Sequence, residues 1–245
     1  MEILKAENIY KKFDTNEVLK GVDITLNEGE IVGLLGVSGS GKTTLFNILS
    51  GLYTPDNDGK IYLKGKDITG KPGKISYMLQ KDLLFPYRRV IDNVTLPLIL
   101  SGMSKKEARK KASPLFETFG LDGSQMLYPS QLSGGMRQRA ALLRTYLGSK
   151  GVALLDEPFS ALDTITKSKI HKWYLDVMQS IKLSTVFITH DIDEAILLSD
   201  RVYILRDGKI ADEVVIDSPK PRADDFNLTD EFLVYKRRIV NSLHI

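Results

Sequence analysis

The sequence predicts an α/β fold: a mainly parallel sheet with helical crossovers, preceded by antiparallel strands and interrupted by a helical insertion. Three observations carry that expectation. Ile31-Val32-Gly33-Leu34-Leu35, Val152-Ala153-Leu154-Leu155 and Thr185-Val186-Phe187-Ile188-Thr189 are nearly continuous apolar or β-branched runs, the mark of strands buried on both faces. Helical patterns separate these runs, as parallel neighbours require. The N-terminal residues alternate instead, with Leu4, Ala6, Ile9, Val18, Leu19, Val22, Ile24 and Leu26 apolar among polar neighbours.

Each element follows from local chemistry. Asp14-Thr15-Asn16 and Asn27-Glu28-Gly29 break the alternating segment into short antiparallel strands. Between about Asp92 and Leu147 the pattern turns helical; Ser104 and Glu107 have the spacing of a capping box, and Pro114 should end or bend that helix near Ser113. Val202-Tyr203-Ile204-Leu205, Asp207-Gly208 and Lys209-Ile210-Ala211 read as a hairpin. Pro219 to Asp225 is turn-rich, and Phe232, Ile239, Val240 and Leu243 mark a short amphipathic C-terminal helix. We divide the chain into a main domain, residues 1–217, with a helical segment of about 91–149 inserted, and a connector and helix, 218–245.

Composition narrows the function. The 245 residues carry 34 Lys+Arg against 31 Asp+Glu, a net charge of +3, with 42% hydrophobic residues, enough for a sizeable core. So small an excess argues against nucleic acid as a partner. Zero cysteines exclude disulfides, thiolate metal sites and a cysteine nucleophile. Charges interrupt the N-terminus, and no run approaches the roughly 18 apolar residues of a membrane span. The expected location is the cytosol, or the cytosolic side of a larger assembly.

Gly36-Val37-Ser38-Gly39-Ser40-Gly41-Lys42-Thr43 fits G-x-x-x-x-G-K-[ST] and directly follows a buried strand. Its glycines let successive backbone N–H groups turn toward phosphate oxygens, and a helix starting near Lys42 aims its positive end at the same place. Lys42 should reach the β- and γ-phosphates, and the Thr43 hydroxyl should ligate Mg²⁺. Val152-Ala153-Leu154-Leu155 ends in Asp156-Glu157, two acids that strand alternation points in different directions. Asp156 is assigned to Mg²⁺ and Glu157 to the general base acting on the attacking water. His190 closes the third apolar run, where open parallel sheets bind ligands, and is assigned to sensing the γ-phosphate; His171 and His244 are read as structural. Ser133, before Gly134-Gly135 and a helical stretch, forms a second helix tip suited to an anion, or an ordinary capped helix.

Together these motifs resemble the ATPase subunit of an ATP-binding cassette (ABC) transporter, from the first strands to about Asp217. The resemblance implies a P-loop NTPase fold with a RecA-like parallel core, an antiparallel β subdomain and an inserted α-helical subdomain. It makes Gly36 to Thr43, with Thr44, the Walker A loop and Gln80 the Q-loop residue, a ligand of Mg²⁺ that also reaches the attacking water. Ser133, Gly134, Gly135 and Gln138 form the signature, Asp156-Glu157 the Walker B pair, Ser160-Ala161-Leu162-Asp163 the D-loop and His190 the H-loop. Phe13 sits where such ATPases stack an aromatic on adenine, with Tyr10 the competing candidate. The implied cofactors are ATP and Mg²⁺. A second copy of the chain is implied too, Ser133 and its glycines contacting the γ-phosphate on the partner's Walker A loop.

The implied work is transport through separate integral membrane permease subunits, with a solute-binding protein contributing indirectly and this chain peripheral on the cytoplasmic face. Leu83-Leu84-Phe85-Pro86-Tyr87 after Gln80 is an apolar loop that either docks a partner, by the resemblance a permease, or packs Leu84 and Phe85 inward. Leu84 to Arg88, Met136 to Arg139 and His190 to Ala195 resemble importers of nitrate, sulfonate, taurine or thiamine precursors. Tyr87, where that group commonly has Trp, and Asp207-Gly208, where Pro-Gly is usual, depart from it. Export, or a non-transport cassette acting on nucleic acid, are the alternative readings of the same motifs.

Overall fold

A computed structural model describes residues 1–160, 164–220, 222–223 and 225–244, with backbone only for 164–169. Strand β1 (Glu2–Phe13) turns at Asp14-Thr15 into β2 (Asn16–Asn27), pairing Phe13 with Asn16 and Leu4 with Leu26. Strand β3 (Ile31–Leu35) is buried throughout and leads through a glycine loop into helix α1 (Lys42–Leu49). Short strands β4 (Lys60–Leu63), β5 (Lys66–Asp67) and β6 (Ser76–Met78) follow. Their two to four residues carry too little alternation to stand out in the sequence.

The chain then leaves the sheet. Helices α2 (Val90–Val94), α3 (Leu96–Leu100), α4 (Lys105–Ala112), α5 (Leu115–Thr118) and α6 (Gly134–Gly148) occupy the interval before β7 (Val152–Asp156). Ser104 caps α4 in a full capping box with Glu107, and Pro114 separates α4 from α5 because a proline ring cannot continue the α4 ladder. Asp92 on α2 grips Arg109 on α4 through paired bonds of 2.9 and 2.8 Å. Helix α7 (Thr164–Ile181), β8 (Ser184–Ile188), α8 (Ile192–Leu198), the hairpin β9 (Arg201–Arg206) and β10 (Lys209–Val215), and α9 (Asp230–Leu243) complete the chain.

Two sheets result. One has the order β2-β1-β4-β5 and is antiparallel; the other, β10-β9-β3-β8-β7-β6, is parallel except for its β9–β10 hairpin. Within the central runs the alternation still sorts side chains. Val32, Leu34, Leu154, Val186 and Ile188 share a core with Leu4, Ile9, Leu26 and Phe46, while Ala153, Leu155 and Phe187 join Val94, Phe116, Leu143 and Tyr174. Arg201 ties the two sheets, donating to Thr25 O at 3.0 Å and Glu30 Oε1 at 3.0 Å. On α9, Phe232, Ile239 and Leu243 are buried against α8 and β9, whereas Val240 is only partly covered.

Candidate active site

The site forms at the C-terminal ends of the parallel strands. After β3 the chain curls tightly: a Cβ at Gly36 would lie 2.4 Å from Leu205 O, and Gly41, at φ +103°, has β2 backbone 3.0 Å from where its Cβ would stand. Helix α1 begins with no side-chain cap and no acid in its first turn, so its leading N–H groups remain available to an anion. Lys42 Nζ folds back onto Gly36 O (2.7 Å) and Val37 O (3.0 Å); burial pushes its ammonium below its ordinary value, opposed by Glu157 and Asp156. Ser40 Oγ is buried and finds no hydrogen-bond partner among the described residues. Val37, Ser38, Gly39 and Thr43 are exposed and Thr44 is half-buried. An unpartnered hydroxyl, an uncapped helix and a lysine within one loop fit a polyphosphate.

Parallel pairing of β7 with β8 sets Asp156 beside Ile188 and so brings two loops together. Glu157 takes a left-handed conformation (φ +46°), its N–H donating to Ile188 O at 3.0 Å. Its carboxylate accepts from Gln80 Nε2 at 2.9 Å and lies 3.4 Å from His190 Nδ1. Three residues assigned separately in the sequence therefore meet at one carboxylate. Asp156 accepts from the Tyr77 hydroxyl at 3.3 Å; burial, with Glu157 adding to it, raises the Asp156 carboxyl against the opposing effects of Tyr77 and Lys42. Burial and the Asp156 charge raise the Tyr77 hydroxyl. Nothing in the sequence singled out Tyr77.

The second anion tip is built differently. Ser133 caps α6, its Oγ accepting from Met136 N at 3.2 Å, and Ser133 and Gly134 face solvent. Gln138 does not join them: it is 8% exposed and lines a narrow internal space with Met78, Leu155 and Phe159. Phe13, 42% exposed, stands at the tip of the β1–β2 hairpin, whereas Tyr10 lies over Gly21. His171 bonds Glu194 at 2.9 Å and meets Phe159 edge-on. Asp163 of the D-loop, with Ala161 and Leu162, lies outside the described residues.

The apolar loop after Gln80 divides. Leu84 is buried, while Leu83, Phe85 and Tyr87 are exposed, Tyr87 at 93%. Buried Asn93 holds the loop, accepting from Phe85 N at 2.7 Å and donating to Phe85 O and Arg88 O at 3.1 Å. Sequence reading missed Asn93, because its partners lie outside its own helix.

The family model for ABC transporters matches residues 19–160. The chain belongs to the ABC transporter family. The formylaminopyrimidine import ATP-binding protein ThiZ of Halalkalibacterium halodurans is 44% identical over 204 residues, spanning 83% of this chain and 79% of that protein. The nitrate import ATP-binding protein NrtD of Synechocystis is 38% identical over 233 residues, spanning 92% and 87%. A dimeric post-hydrolysis ATP-binding cassette bound to ADP and Pi aligns with TM-score 0.75 and 31% identity, over 89% of this chain and all (100%) of that one. A nucleotide-free cassette from an ABC transporter aligns with TM-score 0.82 at 24% identity over 100% and 99%, a likeness of fold. This ABC cassette is thus an ATP-hydrolysing protein of the import type, with the P-loop fold that its motifs imply. Among the described residues no helix is long and apolar enough to cross a membrane.

Proposed function

We propose that two copies of this cassette close head to tail on two Mg-ATP and drive import of a small solute through separate permease subunits, from the cytoplasmic face of the membrane. The meeting of Gln80, Glu157 and His190 at one carboxylate carries the reading. The backbone of 36–43 and Lys42 hold the β- and γ-phosphates. Glu157 accepts the proton of the attacking water, which Gln80 and His190 orient. Thr43 and Asp156, with Gln80, supply oxygen donors for Mg²⁺, which adds electrostatic stabilisation of the transferred phosphoryl group. Mg²⁺ sites are ordinarily built from one or two carboxylates plus substrate phosphates, and the described residues form no larger acidic or histidine cluster. Ser133 and the glycines after it complete the partner's site, and Phe13 stacks on adenine. The relatives' printed names, for import of formylaminopyrimidine, nitrate and aliphatic sulfonates, support a small solute; we assign it to the nitrate, sulfonate, taurine or thiamine-precursor group and its delivery to a solute-binding protein.

Hydrolysis reaches the permease through the loop after Gln80. Arg144 of α6 donates to Leu83 O at 2.8 Å, and Arg137 lies 3.4 Å from the Asp82 carboxylate, so the loop and the Ser133 helix are wired together. Exposed Phe85 and Tyr87 form the docking face. The test is co-purification with the permease subunits. Phe85→Asp with Tyr87→Asp should abolish association while ATP binding by the isolated chain stays intact; retained association would overturn this docking assignment.

A further inference from the structure

Phe13 and Tyr53 stand together at the surface, 42% and 41% exposed. Their ring centroids are 5.8 Å apart and their planes cross at 69°, two walls of a corner. Phe13 ends β1; Tyr53 follows α1 and donates its N–H to Asn47 O at 3.0 Å. Asn47 lies five residues beyond Lys42 on α1, roughly 7 Å along the axis at 1.5 Å per residue. Tyr53 is thereby tied to the same helix that Lys42 opens.

One residue stitches the corner together. The Asp56 carboxylate accepts from Lys11 Nζ at 2.5 Å and from Lys12 N at 2.7 Å, and Asp56 N donates to Tyr10 O at 3.0 Å. Lys11 Nζ in turn lies 5.6 Å from the Phe13 ring centroid. These bonds immediately precede Phe13, so they fix the strand end that presents the ring. The Lys11 and Lys12 donors also hold the Asp56 carboxyl below its ordinary value.

We propose that Tyr53 is the second wall of the base-binding platform and that Asp56 is a positioning residue for Phe13. The inference rests on the assignment of Phe13 to adenine and extends it to two residues that no motif marks. Every purine has a π-face, so the platform adds affinity for ATP and GTP alike rather than selecting between them.

Binding of a non-hydrolysable ATP analogue and of inorganic tripolyphosphate to the full chain, by calorimetry, tests this. Stacking on an aromatic is worth enough that Tyr53→Ala should weaken the analogue about tenfold, leaving tripolyphosphate unchanged and Tyr53→Phe close to wild type. Asp56→Asn should weaken the analogue about threefold with the same selectivity. Should Tyr53→Ala fold poorly, Tyr53→Leu carries the same expectation, keeping apolar bulk without a π-face. Unchanged analogue binding, or an equal loss of tripolyphosphate, would overturn the proposal. Phe13→Ala separates the two assignments. If it leaves the analogue unaffected, adenine stacking at Phe13 is wrong; if it weakens the analogue while the Tyr53 variants do not, only the present inference fails.

Discussion

At the ends of β6, β7 and β8, Gln80, Glu157 and His190 meet at one carboxylate, whereas at the start of α6 the Ser133 hydroxyl, among the described residues, bonds only its own helix. Both regions are suited to anions, yet they are assembled in opposite ways. The strand-end cluster draws its groups from distant segments and fixes them by sheet register. The Ser133 tip is local, exposed and capped on itself. A half-site that is complete within one chain should bind nucleotide alone; one that is only a tip needs a second nucleotide-loaded copy. The contrast therefore separates binding, chemistry and closure into residues that can be changed one at a time.

The largest expected effect lies in the cluster. Glu157→Gln keeps shape and hydrogen bonding but removes the base, so phosphate release should fall by about 10² or more while ATP affinity persists. Wild-type turnover in this variant would show that another group accepts the proton. Lys42→Ala should lower affinity and turnover together, because its ammonium faces the phosphates before and during reaction. A selective loss of turnover, with affinity intact, would move Lys42 out of the binding step.

Ser133→Glu tests the other region. A carboxylate at the tip repels the partner's γ-phosphate, so ATP-dependent dimerisation, read by light scattering, should disappear. ATP affinity of the monomer should stay within about twofold of wild type, since acids at a helix N-terminus are tolerated. Loss of monomer affinity instead would mean that Ser133 serves its own chain's nucleotide, and the contrast between the regions would break.

How much of this was legible depended on whether neighbours in space were also neighbours in sequence. The phosphate loop is a contiguous octapeptide between a strand and a helix, and Asp156-Glu157 ends a strand, so each announces itself. Gln138 does not reach the tip because five residues of α-helix turn it about 140° away from Ser133, into the interior. Tyr77 and Asn93 gain their roles from partners brought in by sheet pairing and loop folding, which no local pattern encodes. Strands β4 to β6 were missed for the same reason: partners, not periodicity, make them strands.

The smallest effect concerns the joint between the two regions. Arg139, one turn beyond Gly135 on α6, donates to Gly120 O at 3.2 Å, and its guanidinium lies 4.6 Å from the centre of the Trp173 ring on α7. Trp173 also meets Phe119 edge-on, so the arginine is clasped between the helical insertion and the core. Arg139→Ala removes a hydrogen bond, a cation–π contact and the packing of a long stem, together worth about 1–2 kcal/mol. Thermal unfolding should shift down by about 2–8 °C for a chain of this length. Because Trp173 is the only tryptophan in the sequence, its emission reports the joint directly, and the variant should shift it to longer wavelength as water enters. ATP affinity should not change, since the phosphate loop lies on other elements. An unaltered emission and melting point would mean that α6 is held by its apolar contacts alone, and that the Ser133 tip is aligned without this clasp.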